Sequence, residues 1–116
     1  MTLVLHGIAN CDTVKKAKTW LEGRDVAFSF RDYKKSPPSR AELEAWSDTL
    51  GWEALVNRQG TTFRRLSDVD KADLSRDRAI ALMLAQPSLI RRPLVERDGR
   101  MLHVGFRPHE WEAAFA

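Results

Sequence analysis

The sequence predicts an α/β fold in which a mixed sheet of four strands is flanked by helices and a helical segment is inserted in the middle. Three observations lead to this prediction. A strand–helix–strand pattern occupies residues 2–31, helical patterns without strand signals fill residues 32–88, and two strand patterns with a last helix follow. The predicted order of elements is therefore βαβ, helical insertion, ββα.

The first part of the chain has the pattern of a βαβ unit. Residues 2–6 (Thr-Leu-Val-Leu-His) form a short run rich in branched side chains, which is typical of a buried strand. Residues 12–22 suit a helix, and Gly23 is expected to end it. The apolar face of this helix consists of Val14, Ala17, Trp20 and Leu21. Apolar residues alternate over residues 26–31, so a second strand is expected, parallel to the first with a right-handed connection.

The helical insertion begins after residues 36–38 (Ser-Pro-Pro), which break the strand pattern. Ser39 and Glu42 are spaced as a capping box, which predicts the start of a helix. Gly51 predicts the end of that helix, and a second short helix is expected over residues 52–56.

The rest of the insertion contains one longer helix. Residues 57–67 show no helical or strand period and are predicted to form a loop. Ser75 is expected to cap a helix that runs to about Gln86, where Pro87 ends it.

Strand patterns return near the end of the chain. Residues 93–97 and 101–104 flank Asp98-Gly99-Arg100, and Asp-Gly at this place predicts a tight hairpin because it accepts positive φ. A last helix is expected from Pro108, since proline suits the first helical position.

Size and composition predict one globular domain. The chain has 116 residues, of which 43% are hydrophobic and 30% charged, and this balance is not that of a disordered chain. We expect a core of residues 1–31 and 89–116 and a helical insertion of residues 32–88. No apolar run approaches the roughly 18 residues of a membrane span, and the first residues lack the features of a secretion signal. The expected location is the cytoplasm, and a single cysteine agrees with it.

The charged residues exclude some classes of partner. The formal net charge is +3, but acids interrupt the basic residues, as in Arg76-Asp77-Arg78. A surface of mixed charge is therefore expected, and direct nucleic-acid binding is not. The chain lacks the Gly-x-x-x-x-Gly-Lys-Ser/Thr motif of a P-loop, so no nucleotide is expected. No metal is predicted either, because Cys11 and the three histidines show no recognised metal spacing. The histidines are His6, His103 and His109, which we expect to be ordinary polar residues.

Cys11 lies where the loop after the first strand meets the start of the first helix. Backbone N–H groups at a helix start lack intrahelical acceptors and stabilise a thiolate there. Cysteines in such positions have pKa values of roughly 3.5–7.5 instead of about 8.5. Lys15, one turn further on, would add positive charge, and Asn10 and Thr13 would add hydrogen bonds. The alternative is a small buried apolar residue, but the polar neighbours favour a reactive thiol.

Several stretches of the sequence together resemble one protein family. They are residues 6–17 (His-Gly-Ile-Ala-Asn-Cys-Asp-Thr-Val-Lys-Lys-Ala) with Trp20-Leu21, residues 55–58 (Leu-Val-Asn-Arg), residues 87–95 (Pro-Ser-Leu-Ile-Arg-Arg-Pro-Leu-Val) and residues 106–108 (Phe-Arg-Pro). In combination they are similar to the YffB branch of the arsenate reductase-like family, which also contains the Spx regulators. The resemblance implies a thioredoxin-like fold with a helical insertion, in agreement with the predicted element order.

The resemblance also implies roles for individual residues. Cys11 corresponds to the nucleophile, while Arg92, Arg58 and Arg107 would hold a substrate oxyanion or a carboxylate of glutathione. Guanidinium groups suit both because they present a fixed fork of donors. Pro93 corresponds to the cis-proline that faces the nucleophile in thioredoxin-like proteins.

Two positions depart from other members of that family. Val14 stands where the Spx switches have a second cysteine, so no internal disulfide can form and an external thiol must resolve oxidised Cys11. Glutathione is the natural choice for that thiol, and a glutaredoxin would remove it from Cys11. His6 lies one residue further upstream than the histidine of the arsenate reductases, so arsenate is not assigned as the substrate.

The expected function is that of a glutathione-dependent thiol oxidoreductase. It would act as a monomer on a small oxyanion or thiol substrate, with glutathione as co-substrate. The alternative is a non-catalytic regulator that binds RNA polymerase or another protein, as Spx does. The pKa of Cys11 and turnover with glutathione distinguish the two.

Overall fold

The structure is a computed structural model, and it describes residues 2–115. Its elements in chain order are β1 (Leu3–Gly7), α1 (Asp12–Gly23), β2 (Ser29–Asp32), α2 (Arg40–Leu50), α3 (Trp52–Leu55), α4 (Thr61–Arg64), α5 (Asp68–Lys71), α6 (Arg76–Ala85), a 3₁₀ turn (Pro87–Leu89), β3 (Leu94–Arg97), β4 (Arg100–Val104) and α7 (Pro108–Phe115). They belong to two compact units. The sheet unit comprises the chain up to Asp32 and from Arg92 onward, and the helical unit is Tyr33–Arg91. Whether the two form a single domain stays a prediction.

The sheet unit contains a four-stranded sheet in the order β2-β1-β3-β4. β1 is parallel to β2 and antiparallel to β3, so Leu5 lies between Phe30 and Val95. β3 and β4 form the predicted hairpin, in which Asp98 and Gly99 have φ of 53° and 82°. The predicted mixed sheet with flanking helices is confirmed.

One face of α1 packs into the core of the sheet unit. Residues three and four positions apart share a face of a helix, so the predicted apolar positions point to the same side. The buried cluster consists of Leu3, Leu5, Val14, Ala17, Leu21, Val95 and Trp111. Trp20 is only half-buried, and its ring packs edge-on against Trp111 and Phe106, with ring centroids 5.7 and 6.3 Å away.

The helical unit begins with the predicted capping box. The N–H of Glu42 donates to Ser39 Oγ, and the N–H of Ser39 donates to a carboxylate oxygen of Glu42. α2 ends at Leu50, and the C-cap residue Gly51 has a φ of 89°, which favours glycine. The core of this unit includes Leu43, Leu55, Ile80, Met83 and Leu89, all fully buried.

The predicted end of α1 is confirmed, because Gly23 is the last residue of the helix, and the positive φ that follows belongs to Asp25, at 55°. The predicted start of β2 is corrected. β2 begins at Ser29 instead of at residue 26, since the ladder with β1 starts at the pair Val4–Ser29. The N–H of Val26 donates to the carbonyl of Leu21 and completes the helix end instead.

The predicted loop over residues 57–67 is wrong in part, because α4 forms a single helical turn within it. None of its side chains is buried, so no apolar period marks this turn. The prediction that His6 is an ordinary polar residue did not include its burial. Its side chain is 1% exposed because it lies on the central strand β1, and its Nε2 is 2.7 Å from Oε1 of Glu96 on β3.

Residues 2–115 contain neither a membrane-spanning helix nor a cluster of metal ligands. No helix among them combines the length and apolar character needed to cross a bilayer. No three of their His, Cys, Asp or Glu side chains are grouped so that they could hold a metal ion.

Candidate active site

Cys11 is the N-cap residue of α1. Its backbone is extended, with φ of −138° and ψ of 123°, and its carbonyl accepts the first helical hydrogen bond from the N–H of Lys15 at 2.9 Å. Gly7 ends β1 close to the same helix, where an added Cβ would lie 2.7 Å from a methyl of Val14. A glycine at this point therefore lets the strand end approach the helix start, and the loop between them ends at Cys11.

The surroundings of Cys11 change its pKa in opposite directions. Burial raises the pKa of the thiol, since it disfavours the charged form. The N–H of Val14, the hydrogen bond and charge of Arg92, and the N–H of Thr13 lower it. Together these three groups outweigh the burial, and the pKa of Cys11 lies below its ordinary value. The half-buried thiol therefore has the electrostatics of a reactive cysteine.

Arg92 reaches Cys11 from two residues before β3. The peptide bond between Arg92 and Pro93 is cis, as predicted. Pro93 is buried, and its carbonyl accepts a 2.7 Å hydrogen bond from the N–H of Gly105, just after β4. These contacts hold the entry to β3, so the Arg92 guanidinium can hydrogen-bond to the Cys11 sulfur.

The other predicted site residues stay predictions. Thr13 acts on Cys11 through its backbone N–H, while Lys15 and Asn10 are not among the groups that shift the pKa of Cys11. Arg107 is 64% exposed, with its Nη1 3.6 Å from a carboxylate oxygen of Glu110. Arg58 belongs to the helical unit, where its guanidinium carbon lies 5.8 Å from the ring centroid of Trp52.

A cleft of about 450 Å³ lies along α1, beginning one turn after Cys11. We call it the α1 cleft, and its lining residues are Lys15, Lys16, Thr19, Trp20, Phe106 and Pro108. Apolar periodicity did not indicate it, because Lys16 and Thr19 have the pattern of an ordinary solvated helix face. The one available signal was Trp20, a large aromatic residue beside a run of lysines.

Comparison with known proteins identifies the family. The model of the ArsC family matches residues 6–114. The chain belongs to the ArsC family. This match includes Cys11 and Arg92, and the predicted family and thioredoxin-like fold are both confirmed.

Proteins that are similar to this chain have been given different functional descriptions. A solved structure of the YffB protein is 52% identical, covers 99% of this chain and 100% of its own, and superimposes with a TM-score of 0.93. An uncharacterised protein of Haemophilus influenzae is 37% identical over 98% of this chain and 99% of its own length. The global transcriptional regulator Spx of Streptococcus mutans is 35% identical over 90% of this chain and 76% of its own length. A solved structure of an arsenate reductase-related protein of Brucella melitensis is also similar, at 45% identity over 99% of this chain and 95% of its own, with a TM-score of 0.80.

Proposed function

We propose that this protein is a glutathione-dependent thiol oxidoreductase with Cys11 as its nucleophile. The observation that carries the proposal is the pairing of Cys11 at the start of α1 with the Arg92 guanidinium, because together with the helix N–H groups it favours a thiolate. Membership of a family with arsenate reductase relatives supports a reductase.

The proposed reaction has two thiol–disulfide exchanges. The Cys11 thiolate attacks the glutathione sulfur of a mixed disulfide, forms a bond to it and releases the substrate thiolate with the electron pair of the broken bond. A second glutathione thiolate then attacks the glutathione held on Cys11. Glutathione disulfide leaves, and Cys11 returns as a thiolate. In sum, the mixed disulfide and one free glutathione become the substrate thiol and glutathione disulfide, so the substrate sulfur is reduced and the sulfur of the incoming glutathione is oxidised.

External glutathione is proposed because Cys11 is the only cysteine in the sequence. No second thiol of the chain can displace the adduct. Arg92 would bind a glutathione carboxylate or a substrate oxyanion beside the sulfur, since its fork of donors fits both. A reducing cytoplasm would supply the glutathione, and that location is part of the proposal.

Intact-mass spectrometry after incubation with glutathione disulfide tests this function. We expect one glutathione on the wild-type protein, removed by a glutaredoxin, and none on a Cys11→Ser variant. Steady-state reduction of a small glutathione mixed disulfide, followed through glutathione reductase and NADPH, should depend on Cys11 in the same way. A wild-type protein that neither takes up glutathione nor turns over would contradict the proposal.

The relationship to Spx supports a second candidate, a non-catalytic transcriptional regulator. It rests on the 35% identity to the Streptococcus mutans regulator. Such a protein would bind RNA polymerase or another protein, and its binding would not require the thiol. Affinity capture of RNA polymerase by both wild-type protein and Cys11→Ser, with no glutathione turnover, would favour this candidate.

A further inference from the structure

The α1 cleft combines an aromatic surface with positive charge. Trp20 and Phe106 line it with rings packed edge-on at 6.3 Å between centroids, and Lys15 and Lys16 add two ammonium groups. No acid is among the lining residues. A flat apolar group therefore gains contact area in this cleft, and an anionic group on it gains electrostatic attraction.

The cleft also lies within reach of the reacting sulfur. Lys15 is bonded through its backbone N–H to the carbonyl of Cys11, so the first lining residue is one turn, about 5.4 Å along the axis, from the N-cap. Cys11, Trp20 and Phe106 all pack against the same buried cluster. A disulfide bonded at Cys11 can therefore extend one substituent along α1 into the cleft.

We propose that the α1 cleft binds the substrate's own half of the disulfide and selects a small thiol with an aromatic body and a carboxylate. This inference rests on the proposed function and names its substrate class. Glutathione occupies the position attacked by Cys11, and the departing aromatic thiolate lies in the cleft. The leaving thiolate carries the electron pair of the broken bond, and the lysines stabilise its carboxylate throughout.

Two colorimetric disulfides separate the charge of the substrate from its aromatic body. Dithiobis(nitrobenzoate) has an aromatic ring with a carboxylate on each half, and dithiodipyridine has neutral aromatic rings. Iodoacetamide measures the intrinsic reactivity of Cys11 without using the cleft. We compare all three rates in the wild type, in Lys16→Met, and in Lys18→Met as the matched control. Lys18 is on the same helix but outside the cleft, with its Nζ 3.7 Å from the ring centroid of Phe30.

We expect Lys16→Met to slow the reaction with dithiobis(nitrobenzoate) by about three- to fivefold, the upper scale of one exposed charge interaction. The rates with dithiodipyridine and iodoacetamide should stay within about twofold, and Lys18→Met should change none of the three beyond that. Phe106→Leu should slow both aromatic disulfides and leave iodoacetamide unchanged. An equal slowing of iodoacetamide by Lys16→Met, or no difference from Lys18→Met, would overturn the proposal.

Binding without chemistry separates this proposal from the proposed function. In Cys11→Ser, titration with nitrobenzoate should shift the amide NMR signals of Lys15, Lys16 and Thr19, while neutral nitrobenzamide should shift them much less. Absence of these shifts would overturn the proposal that the α1 cleft binds an aromatic carboxylate, whatever the reactivity of Cys11. Their presence supports the binding of an aromatic carboxylate in the cleft. If wild-type Cys11 is then inert towards disulfides, the proposed function is contradicted, and with it the role of the cleft as a substrate site.

Discussion

Three helices of the helical unit start differently from α1 of the sheet unit. In the helical unit, α2, α5 and α6 each begin at a serine whose hydroxyl accepts an N–H from the first turn. In the sheet unit, α1 begins at Cys11, whose side chain makes no capping hydrogen bond of that kind. The N–H groups of Thr13 and Val14 nevertheless lower the pKa of its thiol.

This difference indicates what each helix start contributes. A hydroxyl cap satisfies donors that the helix leaves open and adds roughly 1 kcal/mol of stability. A neutral thiol is a poor acceptor, so the open donors of α1 act fully only when the sulfur is charged. The serine starts therefore stabilise the fold, while the cysteine start stabilises a reactive anion. Each prediction below separates these two contributions.

The largest expected effect comes from replacing Cys11 with serine. Glutathione adduct formation should be lost completely, because a hydroxyl does not exchange with disulfides. Below the folded pKa of Cys11, where the native thiol is neutral, stability should stay equal or rise by up to about 1 kcal/mol, since serine is a strong N-cap residue. Urea unfolding followed by circular dichroism gives the free energy of unfolding. A loss of more than about 1 kcal/mol would show that the thiol stabilises α1 and would break the comparison.

Replacement of Arg92 with lysine is expected to have the next largest effect. The charge stays but the fork of donors is lost, so glutathione affinity should fall by about 1–3 kcal/mol. The pKa of Cys11 should rise, because one group that lowers it is weakened. Thiolate absorbance against pH and calorimetric titration with glutathione measure the two quantities. Arg91→Lys is the matched control and should change neither; equal effects of both variants would remove Arg92 from the site.

Ser39→Ala tests the serine starts and should have a smaller effect. It removes the hydroxyl that accepts the Glu42 N–H, so the free energy of unfolding should fall by about 1 kcal/mol. The alkylation rate of Cys11 against pH should not move, because the capping box belongs to the helical unit. A change in that profile would mean that helix caps in one unit affect the thiol in the other.

Local features of the fold were predictable from the sequence, and features fixed by partners were not. The Asp98-Gly99 hairpin and the Ser39–Glu42 capping box depend on neighbouring residues, and both are present. The first residue of β2 depends on where the backbone of β1 is available for hydrogen bonding, and the alternation of apolar residues in the sequence does not indicate that position. A single turn such as α4 buries no side chain, so it leaves no apolar pattern either.

In the candidate site, too, the local feature was predictable from the sequence and the contacts between distant residues were not. Cys11 was predictable from its position at a helix start, which is a local property. Arg92 is far away in sequence, and the family resemblance pointed to it where spacing could not. The pair of His6 and Glu96 was not predicted at all, because 90 positions separate them and only the register of β1 and β3 brings them together.

The smallest expected effect is a pH dependence of stability that comes from the titration of Cys11 at the start of α1. The pKa of Cys11 is lowered in the folded protein, while an unfolded chain has the ordinary value of about 8.5. Between these two values the unfolded state binds the thiol proton more than the native state does, so unfolding becomes less favourable as pH rises. The free energy of unfolding of the wild type minus that of Cys11→Ser should therefore increase with pH through this window, become constant above about 8.5, and be lost as pH falls through the folded pKa. Urea titrations of both proteins at matched pH values measure the difference, and Arg92→Lys should make the increase smaller. A difference that is flat or falls with pH would mean that α1 does not stabilise the anion, and its start would then be no different from those of the helical unit.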